Sequence, residues 1–273
     1  REPKASTLNT HNSAMNRVFD EAVVRGFLAH KNVPMLVNKG EKSERRPDFT
    51  REEYATMIRK LPSWINQGKA GKPTDMRHLM RDYVLILANT GMRHGTEALN
   101  LRWKHITLFE ENGLQYLEMS VRGKTGRRDI ICRSGTINYL KRIHERSDDI
   151  KHMSFEQLIK DRVDLPVFRL PDGTVSKNLH QTFRAFLTET GLIKCPRTGQ
   201  NRTLYSLRHT YATFSLLNDG MDIHALAIQM GTSIGMIERH YSHLTPRLKK
   251  EMLTGKRYEQ SRLEYEEEQG SEP

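Results

Sequence analysis

The segment from residue 205 to residue 243 constrains this chain more than any other part of its sequence. Apolar residues recur in it at helical spacing, which predicts two consecutive helices followed by a short helical turn. Arg208 lies early in the first helix, and Tyr241 lies in the last turn beside basic and imidazole side chains. A guanidinium binds phosphate oxygens with its planar fork of donors, and a phenol oxygen is a nucleophile. The segment therefore predicts a phosphate clamp beside a phenol nucleophile, although the spacing of Tyr241 also suits a core tyrosine.

The rest of the chain also has a mainly helical pattern. It predicts one helix over residues 8–30, a second that begins at the capping box Thr50–Glu53, and a third that is capped by Thr74. The third helix is predicted to end before Gly91 and to be followed by a short helix. From residue 135 onward the pattern is again mainly helical.

Alternating apolar residues indicate a small sheet between these helices. Residues 117–121 alternate after an Asn-Gly turn at 111–113, which predicts a strand. A second strand is predicted over residues 129–132, and the basic, glycine-containing segment 122–128 is predicted to be the turn between the two strands. The fold class is therefore predicted to be mainly α with a small antiparallel β-sheet, an α+β arrangement.

Composition divides the chain into four parts. Proline, glycine and a charge cluster predict a linker over residues 37–48, which separates a helical segment at 1–36 from a larger domain at 49–253. Residues 254–273 form an acidic tail that is predicted to be disordered or to dock on a partner. Because the sequence begins with an arginine, we expect it to be part of a longer protein.

Positive charge is the informative bulk property. The 273 residues include 44 Lys and Arg against 33 Asp and Glu, which gives a net charge of +11 and a pI near 9.7. A balance of this size favours a polyanionic partner, usually nucleic acid, although a merely basic soluble protein stays open. No apolar run is long enough to span a membrane, and the two cysteines lack metal-site spacing, so we expect a reduced, cytoplasmic protein.

A second block, residues 90–97, adds another arginine. Gly91 ends a helix, and Arg93 follows where a new helix is predicted to begin. Glu97 lies four residues later on the same helical face, where it can hold the guanidinium. Taken alone this is an ordinary surface ion pair, but beside Arg208 and Tyr241 it supplies a second phosphate ligand.

Together these blocks resemble the active site of the tyrosine recombinase (phage integrase) family over roughly residues 49–250. The resemblance implies a tyrosine-recombinase catalytic-domain fold in which Arg93 and Arg208 bind the scissile phosphate and Tyr241 attacks it. The family carries histidines where this chain has Tyr205 and Thr232. A hydroxyl at either position can still donate a hydrogen bond to phosphate, but neither replaces imidazole as a base at neutral pH.

Further roles follow from the same resemblance. Lys124, in the turn between the two strands, resembles the family's hairpin lysine, which protonates the leaving 5′ oxygen; a solvated basic turn is the alternative. A nucleotide-binding P-loop is rejected because position 118 is a glutamate and a strand follows the turn. Supporting roles are expected for Glu97, His209 and His240, with His209 packed behind the site. The residues expected to bind DNA are Arg122, Arg127, Arg128 and Arg202.

The implied reaction is the cutting and rejoining of double-stranded DNA through a 3′-phosphotyrosine, in integration or excision of a phage or genomic island. Covalent capture conserves the phosphodiester energy, so no cofactor is expected, and His240 and His243 lack neighbours that would complete a metal shell. The partners expected are double-stranded DNA, further copies in a homotetramer on synapsed DNA, and DNA-bending proteins on a bacterial nucleoid. Residues 1–36 would end a preceding core DNA-binding domain. A type IB topoisomerase and a DNA-binding accessory protein with a decayed site stay open.

Overall fold

Helices form most of the structure, a computed structural model that describes residues 3–41, 45–123, 126–176, 179–241 and 253–254. A three-stranded antiparallel sheet accompanies them, so the predicted mainly α class with a small antiparallel sheet is confirmed. In these ranges no helix is both long enough and apolar enough to cross a membrane. The chain divides into two compact units, Arg1–Arg45 and Arg46–Pro273, and each is described by itself.

The first unit contains one long helix, α1, over Ala5–Val24. The helix predicted over 8–30 ends earlier because Gly26 has a φ of +77°, a left-handed conformation that stops a helix. A short 3-10 turn follows at His30–Asn32. Asn38 donates from Nδ2 to the carbonyl oxygen of Ala5 at 2.8 Å, so the beginning of the predicted linker is bound to α1.

Apolar stripes and caps define the helices of the second unit. The predicted capping box is confirmed, because the Glu53 N–H donates to the Thr50 hydroxyl at 3.2 Å and the Thr50 N–H donates to Oε2 of Glu53 at 2.9 Å. The helices are α2 (Arg51–Asn66), α3 (Lys72–Thr90), α4 (Thr136–Glu145), α5 (Phe155–Lys160), α6 (Leu179–Glu189), α7 (Leu204–Leu217), α8 (Ile223–Met230) and α9 (Ile234–Tyr241).

Two helix predictions around α3 are wrong. Gly71, not Thr74, precedes the first residue of α3, and Pro73 fits the first turn because its missing N–H has no partner to lose there. The Thr74 hydroxyl instead donates to the carbonyl oxygen of Lys69 at 2.8 Å. The short helix predicted after Gly91 is a series of turns over 94–100, in which Gly95 has a φ of +96°. That left-handed residue interrupts helical hydrogen bonding.

The sheet has the order β1–β2–β3, with β1 at Ile106–Glu111, β2 at Leu114–Gly123 and β3 at Gly126–Ile131. The alternation at 117–121 is confirmed, whereas β1 was not predicted even though the Asn-Gly turn implies a strand before it. The turn predicted over 122–128 is too long, because the strands pair as far as Gly123 opposite Gly126. Lys124 lies outside the described residues.

The largest core cluster surrounds the C-terminal part of α3, where nearly every side chain from residue 79 to residue 90 is buried. One charged residue, Asp82, lies in α3 at 0% exposure. Its carboxylate accepts hydrogen bonds from Arg81 at 3.0 Å and from Nε of Arg142 at 2.8 Å, and Arg146 also donates to it. A buried carboxylate is tolerated only with such partners, so this cluster ties α4 to α3.

A smaller apolar cluster joins α7, α8 and α9. It includes Tyr211 from α7, Leu226 from α8, and both Ile237 and Tyr241 from α9. Burial of one side chain of this size stabilises a fold by roughly 1.5–3 kcal/mol. The eight residues of α9 are too few to be helical alone, so packing on α8 and the contact of Tyr241 with His209 of α7 hold the helix in place.

Candidate active site

Glu97 fixes two arginines from different parts of the chain. Its carboxylate, 1% exposed, accepts the Arg93 backbone N–H at 2.7 Å and the Arg93 guanidinium. Arg128 on β3 donates to the same carboxylate through Nη1 at 2.7 Å and Nη2 at 2.8 Å. Burial alone would raise the pKa of Glu97, but the hydrogen bonds from Arg128 and Arg93 outweigh it and lower the pKa to about 2. The carboxylate is therefore ionised at neutral pH and orients both guanidinium groups.

Three arginines meet at the C-terminal end of α8. The last carbonyls of a helix have no partner within the helix and carry partial negative charge, which favours cations. Here each carbonyl accepts a hydrogen bond from a guanidinium: Arg128 on Gln229 at 3.2 Å, Arg208 on Met230 at 2.7 Å and Arg93 on Gly231. The segments 90–97, 126–131 and 204–217 are thereby brought to the turn between α8 and α9.

Arg208 is the most deeply placed of these cations. It is 4% exposed, and Nη1 also donates to the carbonyl oxygen of Gly91 at 2.6 Å. Burial, together with the nearby charge of Arg93, lowers the pKa of Arg208 to about 10, so it stays charged at neutral pH. Arg208 lies early in its helix, as predicted: Thr203 caps α7, so the arginine is in the second turn and reaches the site through its side chain.

Tyr241 is the last residue of α9 and is 4% exposed. Its phenol oxygen lies 2.7 Å from Nδ1 of His209, which is 8% exposed. The rings of Tyr205 and His240 lie against His209, with centroids at 5.3 Å and 6.1 Å. His209 was expected to pack behind the site, and the structure adds that its imidazole contacts the phenol oxygen of Tyr241 directly.

The two residues at the family's histidine positions lie at element ends. Tyr205 is in the first turn of α7 and is 40% exposed, with its ring towards His209. Thr232 follows Gly231, whose φ of +60° ends α8, and its N–H donates to the carbonyl oxygen of Ala227 at 3.0 Å. Both hydroxyls are on segments that also carry the clamp or the nucleophile.

Two of the four predicted DNA-binding arginines are on the hairpin surface. Arg122 on β2 and Arg127 on β3 are exposed and directly opposite each other. Arg127 donates through Nε to the Ser120 hydroxyl at 2.6 Å. Both line a groove of about 650 Å³ together with Asn100 and His105. Arg122 and Arg127 therefore form a basic, exposed surface next to the turns at residues 94–100.

The other two predicted DNA-binding arginines are bonded within the protein, and only for Arg202 does burial contradict the predicted DNA contact. The guanidinium of Arg128 is occupied by Glu97, and that of Arg202 is 3% exposed. Arg202 donates to Glu53 at 2.6 Å and to the carbonyl oxygens of Asp48, Leu192 and Lys194. A side chain enclosed by these acceptors cannot reach a DNA backbone.

The sequence could not indicate the link between Arg128 and Glu97, because the two residues are far apart in the chain and meet only through the fold of the hairpin. The sequence also could not indicate that three guanidinium groups meet at the end of α8, because their acceptors there are backbone carbonyls, which every residue has. Lys124 and His243 lie outside the described residues. Among the residues that are described, no group of three or more metal-ligating side chains occurs.

Comparison with known proteins gives one family and several similar folds. A model of the phage integrase family matches residues 49–247. The Tn1549 transposon integrase in complex with a circular intermediate DNA has a TM-score of 0.57 and 16% identity, over 87% of this chain and 75% of that one. A lambda integrase dimer bound to a core site has a TM-score of 0.55 and 15% identity, over 86% and 77%.

The XerH site-specific recombinase in a post-cleavage complex has a TM-score of 0.53 and 20% identity over 82% of this chain. This chain spans 57% of the length of that XerH chain. A search of curated proteins finds no match. Identities this low establish a shared fold and nothing about substrates.

Proposed function

Because the chain belongs to the phage integrase family, we propose that it is a site-specific recombinase that cuts and rejoins double-stranded DNA through a 3′-phosphotyrosine. One observation carries the proposal. Arg93 and Arg208 meet at the turn between α8 and α9, and α9 ends in Tyr241. A phosphoryl transfer to tyrosine requires cationic groups that bind the phosphate and a phenol that attacks it, and here two guanidinium groups meet the segment that carries the phenol.

The reaction forms one bond and breaks one. The Tyr241 oxygen attacks the scissile phosphorus, and the bond from phosphorus to the 5′ oxygen breaks, which leaves a free 5′-hydroxyl. Arg93 and Arg208 neutralise charge on the nonbridging oxygens as five-coordinate phosphorus forms. Lys124 protonates the departing oxygen. Tyr205 and Thr232 donate hydrogen bonds to the phosphate in place of the family's histidines.

The arginines can bind phosphate without losing their present positions. A guanidinium has five N–H donors, and Arg208 uses Nη1 and Nη2 for one carbonyl oxygen each. Glu97 holds Arg93 and Arg128 through charge-assisted hydrogen bonds. The site is therefore preorganised, so DNA binding does not have to order the clamp.

We also propose a domain arrangement, an assembly and a biological role for the chain. Residues 49–253 form the catalytic domain, residues 1–36 end a preceding core DNA-binding domain, and residues 37–48 link the two. The chain acts as a homotetramer on synapsed DNA, assisted by DNA-bending proteins, in the bacterial cytoplasm on the nucleoid. It integrates or excises a phage or genomic island. The acidic tail 254–273, nearly all of which lies outside the described residues, is either disordered or docked on a partner.

Covalent capture on DNA tests the catalytic proposal. A library of nicked duplexes with randomised sequence releases a short fragment after cleavage, so that the protein cannot rejoin the strand and stays attached. We expect the wild-type chain to form an adduct that survives denaturant, and the attached DNA reports the preferred site. The variant Tyr241→Phe should bind the same DNA equally well and form no adduct.

A second candidate is a DNA-binding accessory protein, which the replacement of two histidines by Tyr205 and Thr232 favours. It predicts sequence-selective binding with no adduct from the wild-type chain. A third outcome, relaxation of supercoiled DNA without joining of two duplexes, would indicate topoisomerase activity instead of recombination.

A further inference from the structure

The contact between His209 and Tyr241 has the form of a nucleophile paired with its base. The phenol oxygen and the imidazole Nδ1 are 2.7 Å apart, within hydrogen-bonding reach. The two residues are 8% and 4% exposed, so the surrounding protein holds both rings. They come from different helices, α7 and α9, which the apolar cluster around Ile237 keeps together.

We propose that His209 is a catalytic residue that accepts the proton of Tyr241 as the phenol attacks the scissile phosphate; this inference rests on the proposed function. The O–H bond of Tyr241 breaks and its proton passes to Nδ1 of His209. The phenol oxygen bonds to phosphorus, and the 5′ oxygen leaves with a proton from Lys124. In the rejoining step the attacking 5′-hydroxyl gives its proton back to Lys124, and the imidazolium returns its proton to the departing phenol oxygen.

The nucleophile needs an acceptor of this kind. A phenol with a pKa near 10 is ionised in only about one molecule in a thousand at pH 7. The hydroxyls of Tyr205 and Thr232 cannot accept a proton at neutral pH, whereas an imidazole can. The role requires the neutral ring of His209 to carry its proton on Nε2, which leaves Nδ1 as the acceptor.

Other titratable groups also face His209. Tyr205 approaches from its own helix, and His240 and Tyr241 approach from α9. The centroids of the His240 and Tyr241 rings are 6.5 Å apart, and the two rings are arranged edge to face. A positive charge on His240 would oppose a second one on His209, so both imidazoles influence the pH at which cleavage becomes fast.

The test measures the rate of adduct formation against pH on a nicked duplex that the capture experiment selects. The variant His209→Asn keeps a polar atom close to the position of Nδ1 but does not titrate. The matched control is His224→Gln, which removes an exposed imidazole on α8. For the wild-type chain the rate should rise with pH and level off once the acceptor is neutral. His209→Asn should be at least about 100-fold slower at pH 7 and lose the plateau, and the control should match the wild type.

Chemical rescue supplies a second readout. Added imidazole should restore adduct formation in His209→Ala, because a diffusible base fills the vacated space, and it should do nothing for Tyr241→Phe. If His209→Ala fails to fold, as judged by its unfolding transition, the His209→Asn pH profile decides alone.

Two results would overturn the inference while the proposed function stands. One is a His209→Asn variant with the wild-type rate and pH profile. The other is a variant that forms adduct faster, since that would mean that His209 only holds Tyr241 back. Absence of any adduct from the wild-type chain would overturn the proposed function and this inference with it.

Discussion

At the scale of single residues, Glu97 decides how the arginine clamp is oriented. It is buried, ionised and bonded to Arg93 and Arg128, so its removal leaves two guanidinium groups with backbone carbonyls but no carboxylate as acceptors. Breaking a buried ion pair in this way costs about 3 kcal/mol or more. Stability and clamp geometry therefore depend on the same carboxylate.

Replacement of Glu97 should change how stability depends on pH. The folded-state pKa of about 2 is depressed, so the stabilisation is fully present above the unfolded pKa and is lost as pH falls towards the folded pKa. The free energy of unfolding of Glu97→Gln should be lower than that of the wild type at pH 7, and this gap should shrink by about 1 kcal/mol at pH 4. Urea titrations at the two pH values measure it, with the exposed Glu110→Gln as control. A gap that does not change with pH would contradict the ion-pair assignment.

The arginines divide into those that hold the fold and those that face solvent. Arg202→Met should lower the free energy of unfolding by about 3 kcal/mol, because Glu53 and several carbonyls lose a buried donor. Its folded form should bind DNA with the wild-type salt dependence. Arg127→Met should have the opposite effects, with little loss of stability and a log–log salt slope shallower by about 0.9. A weaker salt slope for Arg202→Met would restore the original expectation that Arg202 binds DNA.

At the scale of elements, the hairpin β2–β3 is anchored to the arginine clamp through one residue. Arg128 anchors the hairpin to Glu97 and to the end of α8. Arg122 and Arg127 lie opposite each other on β2 and β3 and are exposed. Lys124 follows β2 in the sequence and lies outside the described residues, so its role stays a prediction that substitution can test.

Lys124 should act on the leaving oxygen. Lys124→Ala should slow cleavage of an ordinary phosphodiester by about 100-fold or more, because the 5′ oxygen then departs without a proton. It should barely slow a substrate whose bridging 5′ oxygen is replaced by sulfur, because a thiolate leaves without protonation. Single-turnover cleavage of both substrates separates the two roles, and equal slowing would assign Lys124 to backbone binding only.

The elements also show what the sequence can predict. Thr50 and Glu53 predicted the start of α2 because a capping box is a local interaction, and the alternation of apolar residues over 117–121 predicted β2 for the same reason. The Arg93–Glu97 pair was found from its spacing, although a turn and not a helix carries it. The DNA contact expected of Arg202 is wrong because its acceptors lie far away in the chain and enclose it only after folding. The bond from Arg128 to Glu97 also forms only after folding, and its DNA contact stays a prediction. His209 could be named, but only the packing of α9 on α7 shows what it contacts.

At the scale of the whole molecule, charge governs association with DNA. The net charge of +11 includes an acidic end, since residues 257–273 contain six Glu and two Arg. The remainder of the chain is thus more basic than the total indicates. Binding that neutralises several phosphates should weaken steeply with salt, because each contact releases condensed counterions.

Removal of residues 257–273 should tighten nonspecific DNA binding by a few fold and leave the salt slope unchanged. The segment adds negative charge that repels the DNA backbone without taking part in phosphate contacts. Titrations of a random duplex at several salt concentrations measure both quantities. Weaker binding after truncation would instead indicate that the tail docks on a neighbouring copy and supports cooperative assembly.

The residue that carries the trapped DNA identifies the nucleophile. Mass spectrometry of the digested adduct should find one nucleotide-linked peptide, joined through Tyr241 to a 3′ phosphate, with a free 5′-hydroxyl on the released strand. Attachment to Tyr205 or to another residue, or linkage through a 5′ phosphate, would contradict this prediction.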